Sequence, residues 1–160
     1  MAKEAEVAAP IKVLADPRVS TFLSAARLGH LATADTSAAP HNVPLCFWFD
    51  GARFYFVLDE KPKSRPAKEL KRMRNIAANP CVALVVDQYE EDWKQLAYVL
   101  VRGTAAVVED PQEYMLALRY LRDKYVQYRS MPLQPDKNAI VRIEPVHVHV
   151  WGARFAPPTA

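Results

Sequence analysis

"HNVPLCFWFDGARFYFVLD", residues 41–59, decides the fold. Residues 41–49 and 53–59 are two aromatic, β-rich runs, and Asp50-Gly51, allowing for Ala52, is a short-hairpin signal between them. Working outward, "GHLATAD" (29–35) reads as a preceding strand and "SAAP" as the turn that joins it. Downstream, "NPCVALVVDQY" (79–89) and "AYVLVRGTAAVVE" (97–109) are further strands, the second with a bulge expected at Gly103. "AIVRIEPVHVHVWG" (139–152) is a last strand, interrupted or bulged at Pro145. Asp16-Pro17 opens a helix to about Leu28, with Asp as N-cap and Pro at the first helical position. Asp110-Pro111-Gln112-Glu113 opens another, to about Tyr125. In it Tyr114, Met115, Leu118 and Leu121 fall at core spacing. About six strands in hairpin order remove their edges by closing on themselves. The expected fold is mainly β with peripheral helices, a small six-stranded antiparallel barrel.

The chain has 160 residues, the size of one ordinary domain, and its first fifteen read as a flexible extension. Half the residues are hydrophobic (51%), which calls for a real core. The N-terminus lacks an apolar stretch of the secretory type, and "VALVV" (82–86) is far too short to span a membrane. Cys46 and Cys81 lie in apolar runs without CxxC spacing, so both are expected as buried, reduced thiols. A soluble, cytoplasmic protein is expected.

Residues 61–74 hold seven of the chain's 21 basic residues: Lys61, Lys63, Arg65, Lys68, Lys71, Arg72 and Arg74. Against the single acid Glu69 they give this stretch +6, while the whole chain is +3, so the remainder sums to −3. The stretch reads as a helix after Ser64 as N-cap, with Leu70, Met73, Ile76 and Ala77 on its apolar face. Lys61 and Lys63 stand at the strand-to-helix junction, where free backbone N–H groups and cations suit a phosphate. Arg65, Lys68 and Arg72 align on one flank and could track a longer polyanion. The charge is confined to one segment of an otherwise acidic chain, which argues against nucleic acid.

"HLATAD…PHNVPLCFWFDGARFYFVLDEKPK", the basic helix and "NIAANPCVALVVDQY" together resemble the pyridoxamine-phosphate-oxidase-like flavin/deazaflavin split-barrel superfamily. "DQYEEDWKQLAYVLVRGTAAVVED" resembles its coenzyme F420-dependent reductases, and the likeness runs from about Pro17 to Gly152. The resemblance implies a six-stranded split barrel and a homodimer, with two elongated flavin-type cofactors in grooves between the subunits. It makes Lys61 and Lys63 the contacts to the cofactor phosphate, with Ser64, Arg65 and Lys68 close by. Asn42, Val43, Pro44 and Leu45 would lie along the ring, and Val57, Leu58 and Asp59 behind the linker. Tyr89, Trp93 and Trp151 would reach the cofactor or substrate, the first two from either subunit. The tail "VHVHVWGARFAPPTA" offers only Arg154 in place of the Arg-containing substrate motif of true pyridoxamine-phosphate oxidases.

There is no Ser-His-Asp signature, P-loop or GxGxxG, so hydrolysis and Rossmann-type NAD binding lack support, and no catalytic side chain is assigned. A bound ring carries its own redox chemistry. His147 and His149 share a strand face without a third ligand, so no metal is expected. Asp92 is read as a loop acid capping local backbone. The first functional reading is an F420-dependent reductase passing hydride to an activated double bond or similar acceptor. FMN-dependent redox chemistry is the second reading, and a non-catalytic flavin- or haem-binding protein the third. Phe47, Trp48, Phe49, Phe54, Tyr55 and Phe56 exceed what one interior holds, so part of them is expected outside, under a second subunit.

Overall fold

The computed structural model describes residues 9–59 and 70–156. Seven strands form one antiparallel sheet in the order β2-β1-β5-β6-β7-β4-β3. They are β1 (Gly29–Ala34), β2 (Pro40–Leu45), β3 (Trp48–Phe49), β4 (Phe54–Val57), β5 (Cys81–Gln88), β6 (Ala97–Val107) and β7 (Ile140–Trp151). The helices are α1 (Pro10–Leu14), α2 (Pro17–Ala25), α3 (Lys71–Ala78), α4 (Pro111–Lys124) and α5 (Gln127–Ser130).

The seventh strand arises because the run 41–49 is two strands, broken at Cys46-Phe47. That break also makes the barrel. Edge strands β2 and β3 are consecutive in the chain, and three peptide steps from Leu45 to Trp48 reach at most about 11 Å. Laid flat, seven strands at ~4.8 Å spacing would hold these edges roughly 29 Å apart. The sheet must therefore curl until its edges approach. Tyr125 seals the seam: its hydroxyl accepts from the Phe47 N–H (3.0 Å) and donates toward the carbonyls of Phe47 (2.9 Å) and Arg27 (3.0 Å).

Local signals behave as read. Asp16 and Asp110 cap α2 and α4 through the backbone N–H of Arg18 and Gln112, each with Pro at the first turn. Asp50 accepts from the N–H groups of Ala52 and Arg53, and Gly51 takes the positive φ of 103° that turns β3 into β4. The β6–β7 register shifts at Arg102/Gly103, with Val146 as the extra residue of β7. A Cβ on Gly103 would stand 2.1 Å from the Glu144 carbonyl oxygen, so only Gly fits this close approach. Within the first fifteen residues, assigned to an extension, Pro10–Leu14 is helical and Leu14 is buried in the core.

Two apolar clusters flank the curled sheet. The barrel interior holds Leu31, Phe47, Phe49, Phe54, Phe56, Leu84, Val99 and Val101, closed by α2 and by Ile76 of α3. A second cluster, Tyr55, Val57 and Ile140 with Tyr114, Leu118 and Leu121, lies between β4–β7 and α4–α5. This corrects the reading of the six aromatics. Alternation does send Trp48 and Tyr55 outward, but α4 covers them: Trp48 stacks on Tyr55 (5.1 Å) and on Tyr120 (4.6 Å, 8°) within the same chain. Three smaller expectations also fail. Met115 is exposed on α4, Ala77 is exposed on α3, and Cys81 is exposed rather than buried. On α3 the residue buried beside Ile76 is instead Asn75, whose amide donates to the Thr33 hydroxyl (3.0 Å). No described helix is long and apolar enough to cross a membrane.

Candidate functional site

With β4 and the near half of β7 covered by α4 and α5, the rest of the outer sheet face stays open. Alternation fixes what it displays. On β1, Leu31 and Thr33 point inward while His30 and Ala32 point out. The register then aligns rows across the strands. His30 lies between Pro44 of β2 and Val85 of β5, and Ala32 between Asn42 and Ala83. Farther along, Ala83 pairs with Arg102 and Arg102 with His147, while Asp87 pairs with Tyr98 and Tyr98 with Trp151.

The Ala32–Ala83 pair has almost no side chain to raise, so the centre of the face is a shallow floor. Two grooves meet on it. The wider, about 590 Å³, is bounded by Pro40, Cys81, Arg102 and His147. The narrower, about 350 Å³, is bounded by His30, Asn42, Val85, Asp87 and Tyr98. A third hollow of about 470 Å³ opens at the end of α2 between Phe22, Leu28, Arg27 and Arg154, and it shares His30 and Asp87 with the narrower groove. At the sheet margin Tyr98 stacks on Trp151 (5.6 Å, 19°), with His149 5.9 Å from the Tyr98 ring. His30 Nδ1 is 3.4 Å from Asp87 Oδ1. Among the described residues no cluster of three or more His, Cys, Asp or Glu is placed to hold a metal.

Asn79, the C-cap residue of α3, lines the wider groove, while the basic start of the helix lies at its other end. Lys71 Nζ is 2.7 Å from Asp35 Oδ2, in the turn between β1 and β2. That bond, with the Ser37 hydroxyl and the Ala39 N–H, holds the Asp35 carboxyl well below the usual carboxylate range. Lys71 is thus already paired. Helix α3 starts at Lys71 with Leu70 as its N-cap residue. Arg72 is half-buried rather than on an exposed flank. Burial lowers its pKa, Asp59 and Tyr128 oppose that, and its Nε has no hydrogen-bond partner among the described residues.

The other sequence candidates divide cleanly. Asn42 and Pro44 lie on the open face, whereas Val43 pairs with buried Leu31 and Leu45 is itself buried, so those two face the interior. Val57, Leu58 and Asp59 are buried, with Asp59 accepting from the Tyr128 hydroxyl at 2.9 Å. They are not in the lining of either groove. Trp151 borders the face at 49% exposure, and Tyr89 (64%) and Trp93 (73%) stand free on the β5–β6 connection. Asp92 caps the short turn there, accepting from the Lys94 N–H. Lys61, Lys63, Ser64, Arg65 and Lys68 lie outside the described residues.

Sequence reading missed His30, Ala32, Ala83, Asp87, Tyr98 and Arg102, and a polar cluster under the seam. There Lys124 Nζ lies 4.2 Å from the Phe47 ring centre, buried and without a hydrogen-bond partner among the described residues, and Arg27 lies 4.7 Å over Tyr125. Alternating small or polar residues in "HLATA" and "CVALVVD" were the available signal for the face.

A family model described as pyridoxamine 5'-phosphate oxidase matches residues 16–152. Among solved structures, one described as an F420 reductase is 25% identical, with a TM-score of 0.58, covering 81% of this chain and 94% of that one. A conserved hypothetical protein of Mycobacterium tuberculosis is 18% identical at TM-score 0.70, covering 91% and 90%. A haem storage protein of Vibrio cholerae is 15% identical at TM-score 0.66, covering 88% and 98%. The search of curated proteins returned no match.

Proposed function

Because the chain belongs to the pyridoxamine 5'-phosphate oxidase family, we propose that it is an oxidoreductase whose open sheet face binds a flavin-type cofactor, and that this cofactor is F420. The observation that carries the reading is the shallow Ala32–Ala83 floor between two grooves, edged by Tyr98 and Trp151 and bordered at one rim by Asn79, which ends α3. A flat tricyclic ring fits such a floor, because no side chain rises from its centre. Residues 61–74, at +6, suit the anionic end of the same molecule. FMN brings one phosphate, which Lys61, Lys63 and their neighbours would satisfy. F420 adds carboxylates beyond its phosphodiester, and the further cations Arg65, Lys68 and Arg74 suit that longer tail.

When bound, the reduced ring supplies hydride to a small organic acceptor such as an activated C=C. The chain's own residues bind and orient: Asn42 and Pro44 along the ring, the basic segment on the tail. A second copy of the chain completes the site by covering the apolar part of the face, where Val146 and Trp151 are exposed, and by bringing its Tyr89 and Trp93. The absorbance spectrum and mass of whatever co-purifies with the protein test this reading. A deazaflavin or flavin spectrum supports it. A haem spectrum supports a second reading, favoured by exposed His149 beside Tyr98, in which the face carries haem.

A further inference from the structure

The hollow at the end of α2 is distinct from the floor that suits the ring, yet the two communicate through one pair of side chains. His30 and Asp87 line both this hollow and the narrower groove, so they stand on the boundary between them. His30 is also the cross-strand neighbour of Pro44, on the strand assigned to the ring. Its Nδ1 is engaged 3.4 Å from Asp87 Oδ1, while no described protein group hydrogen-bonds its Nε2. One side of the hollow is apolar, with Phe22, Ala25 and Leu28; the other carries Arg27, Gln88 and Arg154. Arg154 is held in place, donating to the Gln88 side-chain oxygen with its guanidinium 5.1 Å from the Phe22 ring centre.

We infer that this hollow receives the acceptor, a conjugated carbonyl compound, and that His30 gives it a proton. The inference rests on the cofactor reading above. An apolar wall suits the carbon skeleton, and two guanidinium groups favour an electron-rich oxygen. Hydride, with its electron pair, arrives at the β-carbon of the C=C and the π electrons shift toward the carbonyl. The α-carbon then takes the proton from His30 Nε2, and the His30 ring, left neutral, regains a proton from water. Asp87 is a positioning residue: it fixes the ring through Nδ1 while Nε2 faces the acceptor. The charged and titratable groups around His30 are Asp87 of β5, Tyr98 of β6, Arg27 after α2 and Arg154 near the C-terminus.

The test uses His30→Gln, Asp87→Asn and Asp87→Glu. Cofactor dissociation constants are measured by fluorescence and acceptor reduction with cyclohex-2-en-1-one. His30→Gln is expected to keep the cofactor Kd within about twofold while kcat falls about 100-fold or more. Asp87→Asn should lower kcat with KM little changed, and Asp87→Glu should restore part of it. In cofactor-free protein, cyclohex-2-en-1-one should shift the NMR signals of the His30 ring and leave those of His147 and His149 in place. Normal cofactor binding with an unchanged rate in His30→Gln overturns the acid role alone. So does a probe that shifts other histidines and not His30. Failure of the wild-type protein to bind F420 or FMN overturns the functional reading, and the acid role with it.

Discussion

Replacing Lys124 by Met removes a buried charge that the fold holds at a cost. Lys124 Nζ lies 4.2 Å from the Phe47 ring centre and 5.5 Å from that of Tyr125, and no described group accepts a hydrogen bond from it. Burial, reinforced by the Arg27 charge, pulls its pKa from the ordinary 10.5 down to about 8. At about 1.36 kcal/mol per tenfold change in proton affinity, that gap corresponds to at most about 3.4 kcal/mol against the charged form. Partial access to solvent reduces this to roughly half. The cations–ring contacts give back about 0.5–1 kcal/mol, and Met keeps the apolar stem. Lys124→Met should therefore stabilise the protein by about 0.5–1 kcal/mol at pH 7, read as a higher urea midpoint with an unchanged slope. The sign of the pH dependence is fixed. Between about pH 8 and 10.5 the unfolded chain binds the proton that the folded one has released, so wild-type stability rises with pH relative to the variant. The advantage of Met should shrink toward pH 10. A variant less stable than wild type at pH 7, or a difference that stays constant from pH 7 to 10, refutes the reasoning.

Ala83→Phe, raising a ring from the floor shared by both grooves, should weaken cofactor binding at least about tenfold while leaving the melting temperature close to wild type; fluorescence titration and calorimetry read the two effects. Lys61→Ala with Lys63→Ala should cost about 1.5–3 kcal/mol of cofactor affinity per charged hydrogen bond lost. Unchanged affinity with a lowered melting temperature would make these lysines structural. Tyr125→Phe leaves the buried Phe47 N–H without its acceptor and should destabilise by about 1–3 kcal/mol in urea.

What was legible in the sequence was local. Asp16-Pro17, Asp110-Pro111 and Asp50-Gly51 act through backbone groups two or three residues away, and each forms the cap or turn its residues dictate. Gly103 and Pro145 marked the bulge because each is out of place in a regular ladder. The break at Cys46-Phe47 was hidden inside one continuous apolar run, since nothing local distinguishes a strand that ends from one that changes edge. Asn75 reads as polar and therefore outward, until Thr33, 42 positions away, supplies its partner. The candidate site was half legible. Composition exposed the basic segment and resemblance named strand β2, but the open face is a product of register. His30, Ala32, Ala83 and Asp87 come from strands some fifty residues apart, and only their pairing brings them together. Arg72 illustrates the converse: its spacing put it on a charged flank, and packing turned it toward Asp59 and Tyr128.

The central claim, a ring on the open face with an anionic tail on the basic segment, is tested most directly by calorimetric titration of F420 and of FMN at about 50 and 300 mM salt, in wild type and in Lys68→Ala. The two salts differ in Debye length by more than twofold, from about 14 to about 6 Å, so contacts to a long charged tail weaken visibly between them. The expected result is tighter binding of F420 than FMN, a steeper loss of F420 affinity with salt, and a larger effect of Lys68→Ala on F420. Equal affinities for the two cofactors, indifferent to salt and to Lys68→Ala, would contradict it.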